Sequence, residues 1–183
     1  MLSFLLVIII GYSVIRKKEL SKKLLYMNNI INLFAPNVIA YFILSHIVIT
    51  KDFFFGYIVA VAVMDVFSFT KAGKQSLNRK LISNTNSLAR LSICLPVPRK
   101  PGLQPIIGVG DILYYTIITM FCIYSKNVTA GLYAAIIVLI GQLVNTVSTS
   151  ILIRVQKEHY KGFPATLFPG LFIFIVGITG KIF

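Results

Sequence analysis

Acid is what this chain has least of. Its 183 residues hold five Asp and Glu against eighteen Lys and Arg, a formal net charge of +13, and no tryptophan. Cys94 and Cys122 stand far apart, with no CxxC spacing and no Cys/His cluster. That excludes a sequence-recognisable metal site and a disulfide framework, so neither metal nor organic cofactor is implied. Long polar stretches are scarce too, for 57% of the residues are hydrophobic and the mean hydropathy is +0.85, which excludes an ordinary soluble domain.

What is present is apolar length. Six membrane spans are expected, over approximately Leu2–Ile15, Ile30–Thr50, Phe53–Thr70, Ile106–Ser125, Val128–Ile153 and Phe163–Gly180. The fold class is then all-α: a polytopic transmembrane helix bundle forming one domain over residues 1–183. The first segment is short, since its fourteen residues rise only ~21 Å against a ~30 Å hydrocarbon core. It is expected to be an uncleaved span, because its basic cluster follows the apolar run where a secretory signal would put it before.

The positive charge is distributed as a topology signal. Five Lys or Arg lie in Arg16–Lys23, one at Lys51, seven in Lys71–Lys100, one at Lys126, three in Arg154–Lys161 and one at Lys181. Rich and poor connectors alternate strictly, which puts the rich ones in the cytoplasm and both termini outside. The same excess suits contact with anionic membrane lipid and is no nucleic-acid footprint. The cytosolic connector 71–105 changes character along its length, basic and polar up to Arg90 and apolar with several prolines after it. An extended segment is expected to lead into the fourth span there, sheltered by protein or by a water-filled cavity.

Against this background two acids are out of place. Glu19, Asp52 and Glu158 fall in charged connectors, but Asp65 and Asp111 lie inside spans. A carboxylate at bilayer depth costs several kcal/mol by most estimates, so its default reading is functional. Asp65 stands six residues before Lys71 and Asp111 six after Pro105, which puts both about 9 Å below the same surface. Two carboxyls at one depth on consecutive helices can share a proton, and such a pair can activate water and polarise a peptide carbonyl. Gly108 and Gly110 precede the second acid and clear side chains from around it.

Gly108-Val109-Gly110-Asp111-Ile112 resembles the GxGD motif of the presenilin and signal peptide peptidase family of intramembrane aspartyl proteases. Leu95-Pro96-Val97-Pro98-Arg99 is similar to the approach into that motif, and Phe163-Pro164-Ala165-Thr166-Leu167-Phe168 resembles the family's Pro-Ala-Leu segment. The chain would correspond to the last six of the family's nine helices. Met64 stands where the family usually has Tyr, and Thr166 where it has Leu. The resemblance implies an endopeptidase that hydrolyses peptide bonds in transmembrane proteins or signal peptides. Asp65 and Asp111 would be catalytic, while Gly108, Gly110, Pro164, Ala165 and Thr166 would seat the substrate as an added strand. Restoring leucine at Thr166 is expected to leave the acids untouched.

Two other functions fit the same features. One is a cation channel or proton-coupled transporter using the Asp pair as its ion site. The other is a non-catalytic presenilin-like binder of membrane proteins. Three further features have structural readings. His46 is expected to bond between helices, and so is the polar stripe Gln142, Asn145 and Thr149. The sequon Asn127-Val128-Thr129 is expected to stay unmodified between its two spans.

Overall fold

The computed structural model describes residues 22–47, 50–70, 72–76, 85–97, 102–156 and 163–180. The expected first span and both termini lie outside these. Among the described residues there are six α-helices: α1 Lys22–His46, α2 Lys51–Ser68, α3 Thr85–Arg90, α4 Val109–Ser125, α5 Val128–Gln156 and α6 Leu167–Ile178. Between α2 and α3 lies a 3-10 turn, Ala72–Gln75, and between α3 and α4 a hairpin of β1 Ser92–Pro96 and β2 Leu103–Gly108.

Local chemistry explains several boundaries. Thr50 caps α2 by accepting from the Phe53 N–H at 3.3 Å. Asn127 accepts from the Ala130 N–H at 2.9 Å at the start of α5, so the sequon asparagine serves a helix start. The helix expected from Ile30 begins earlier, at Lys22, and includes Asn28, Asn29 and Asn32. The fourth begins later than Ile106 because Leu103–Gly108 is strand, and the sixth later than Phe163 because residues 163–166 are non-helical. The molecule is mostly helical, with an antiparallel two-stranded sheet where the sequence promised only an extended segment.

α1 packs on α4, α4 on α5, α5 on α6, and α6 on α2. The interior is built around α4. Phe121 stacks on Phe54 of α2 with ring centroids 4.0 Å apart, and Tyr114, Ile117, Ile118 and Cys122 are buried beside Ile58 and Ile173. Many apolar side chains face outward as well. Phe34, Val38 and Phe42 on α1, and Leu132, Leu139 and Leu143 on α5, are each about 60% exposed or more. Lys23–His46 and Val128–Val155 are long and apolar enough to cross a membrane. α2 has the length but carries Lys51, Asp52 and Asp65.

Candidate active site

Asp65 sits in the last turn of α2 and Asp111 in the first turn of α4. The fold brings them to one end of the bundle, because α2 and α4 run antiparallel, with Phe54 stacked on Phe121 and the Tyr114 hydroxyl donating to Ile58 O at 3.4 Å. Both are partly buried. Asp111 occupies the third position of its helix and accepts from the Gly108 N–H at 3.3 Å, tying its carboxylate back to the residue that ends β2. A carboxylate there also faces the positive end of the α4 dipole.

The two glycines before Asp111 do different things. A methyl at Gly108 would stand 3.1 Å from Asp111 Oδ2, so this glycine leaves room for the acid itself. A methyl at Gly110 would meet nothing within 4 Å, so this glycine borders open space. Only Gly110 has the open surroundings expected of an access position.

Pro164, Ala165 and Thr166 are brought to the same place, and Pro164 and Thr166 are buried. The Thr166 N–H donates to Asp65 Oδ2 at 3.0 Å and its hydroxyl donates to the same oxygen at 2.8 Å. The expectation that leucine at Thr166 would leave the acids untouched is therefore corrected, for the Thr166 side chain is turned onto Asp65. Met64 is 60% exposed and points out of the bundle.

Several residues that hold the site were not singled out as such from the sequence. The Ala165 carbonyl accepts from the Tyr115 hydroxyl at 3.0 Å, from the Gln142 amide at 3.3 Å, and from the Asn145 amide. Gln142 and Asn145 of the stripe on α5 thus bond to the non-helical segment before α6. Its i, i+3 spacing was visible, but its partner was not. Three asparagines of α1 hold the hairpin side. Asn28 donates to Arg90 O at 2.9 Å, and Asn32 to Arg90 O at 2.8 Å and Ser92 O at 2.9 Å. Asn29 pairs with Cys94 in both directions, donating to its carbonyl at 2.6 Å and accepting from its N–H at 2.7 Å. The cluster Asn28, Asn29, Asn32 was the available signal. His46 bonds within its own helix, to Phe42 O at 3.0 Å, and stacks on the Phe42 ring, rather than bridging helices.

Among the described residues no group of three or more His, Cys, Asp or Glu could hold a metal ion. No protein-family model matches the chain, and no curated protein or solved structure matches it.

Proposed function

We propose that this chain is a multi-pass intramembrane aspartyl endopeptidase, with six spans, both termini outside and the connector 71–105 cytoplasmic. The carrying observation is the convergence of Asp65, Asp111 and the Pro164–Thr166 segment at one end of the bundle, where the segment touches Asp65 and is held by Tyr115, one turn beyond Asp111. The outward-facing apolar surfaces of α1 and α5 support a lipid surrounding, since large exposed apolar areas are rare on soluble monomers.

In this reading one aspartate accepts a proton from water as the water oxygen attacks the peptide carbonyl carbon. The other, protonated, gives its proton to the carbonyl oxygen. The resulting gem-diol collapses as a proton passes to the amide nitrogen, the C–N bond breaks, and the pair returns to one shared proton. Transmembrane proteins or signal peptides would be the substrates, and water the only co-reactant.

Substrate would enter as an extended strand. Asn29 occupies both backbone groups of Cys94, which closes the outer edge of β1 at its centre. The added strand would run along β2, which ends at Gly108, three residues before Asp111. Gly110, with open space beside it, lies between them.

The test is cleavage of a membrane-anchored reporter by purified protein in detergent. Asp65→Ala and Asp111→Ala should each abolish cleavage, and Asp→Asn nearly so, because residues acting as a unit lose their function together. Substantial cleavage by Asp111→Ala would refute the aspartyl mechanism. Ion flux that depends on Asp65, with no cleavage by wild type, would assign the pair to transport.

A further inference from the structure

The peptide group joining Ala165 to Thr166 is held from both sides. Its carbonyl is fixed by the Tyr115, Gln142 and Asn145 side chains of α4 and α5. Its N–H ends on Asp65 Oδ2 of α2. A trans peptide is planar, with its C=O and N–H pointing in opposite directions, so donors that pin the oxygen also aim the N–H. The Thr166 hydroxyl then adds a second donor to the same carboxylate oxygen. Among the described residues these are the only side-chain hydrogen bonds of Asp65. Thr166 is 3% exposed, so solvent has little access to replace either bond.

We infer that Thr166 is a positioning residue for Asp65, fixing Oδ2 and leaving Oδ1 to face water and substrate. Leucine at this position could supply the N–H but not the hydroxyl. Two donors on one oxygen restrict rotation of the carboxylate about its terminal bond, which a single N–H leaves freer. The catalytic consequence rests on the proteolytic reading, whereas the contact itself does not.

The experiment therefore has two arms. In the first, infrared difference spectra between each protein and its Asp65→Asn counterpart isolate the carboxyl bands of Asp65. Thr166→Val, which keeps the β-branch and removes the hydroxyl, should shift those bands, and Thr166→Ser should restore them. In the second arm, Thr166→Val should lower kcat by on the order of 10-fold or more with KM nearly unchanged, since misplacing a reacting group costs rate rather than binding. Thr166→Ser should recover most of the loss. Thr166→Ala provides a smaller hydroxyl-free variant if the valine protein does not fold. Unmoved bands in the hydroxyl-free protein, or a raised KM with intact kcat, would overturn the inference. Shifted bands in a protein whose wild type cleaves nothing would sink the protease reading and leave the placement of Asp65 standing.

Discussion

Replacing Gly141 with alanine tests whether helix packing sets the site. Gly141 lies on α5 where α6 crosses it, and an added methyl carbon would stand 2.6 Å from the Pro169 N and Cα atoms. Ordinary contact begins at 3.4 Å, so the helices must part there by about 0.8 Å. The obstructing atoms are backbone and cannot swing aside like a side chain. Overpacking of this kind costs about 1–3 kcal/mol. For a chain of this size that corresponds to a fall in melting temperature of about 2–4 °C per kcal/mol. Pro169 is three residues from Thr166, so the same displacement reaches the peptide group that holds Asp65. A shift of ~1 Å at a reacting group costs on the order of 100-fold in rate. Thermal unfolding in detergent and reporter cleavage should therefore both worsen. Gly110→Ala is the contrasting variant. With nothing within 4 Å to strike and a helical position to occupy, it should stabilise the fold by roughly 0.5–1 kcal/mol while reducing cleavage, because its methyl enters the open space beside Asp111. An unchanged melting temperature and rate in Gly141→Ala would refute the close approach and the route by which it reaches the acids.

Asn29→Ala should destabilise the hairpin by about 1–3 kcal/mol, since it strips partners from both backbone groups of Cys94. Faster hydrogen exchange at the Cys94 amide, with α5 amides unaffected, is the expected signature. His46→Ala should change stability by no more than about 0.5 kcal/mol, because His46 is exposed and its hydrogen bonds stay within its own helix and turn. A large loss of stability in His46→Ala would require a contact that the fold does not show.

Composition made the acids legible, because a carboxylate in an apolar run needs no tertiary information to stand out. Hydropathy likewise located α2, α4, α5 and α6 to within a few residues at most ends. It misplaced the start of α1, since Asn28, Asn29 and Asn32 read as connector when their partners are unknown. Knowing that α3 and β1 pack against that turn explains why a helix carries them. The hairpin escaped notice because β1 is five residues long, each strand contains a proline, and the register shifts between Ile93 and Cys94. Such strands present no alternating pattern to find. The contact between Thr166 and Asp65 spans 101 residues of chain and leaves no trace in local sequence.

The buried and half-buried amides of α1 and α5 are spent on backbone outside their own helices. A helix satisfies its own N–H and C=O groups, but a strand edge or a non-helical entry does not, and in apolar surroundings side chains must supply the partners. Two such segments lead to the acids, and each has its own set of donors. Asn28, Asn29 and Asn32 of α1 serve the hairpin that leads into Asp111. Tyr115 of α4, with Gln142 and Asn145 of α5, serves the segment that touches Asp65. Both irregular segments therefore end beside an acid. A bundle needing only to cross a membrane would have no use for either break, and each break costs buried amides to maintain. Their shared destination ties the polar inventory of the helices to the aspartate pair, and makes each amide a point at which the placement of the pair can be disturbed without touching the acids.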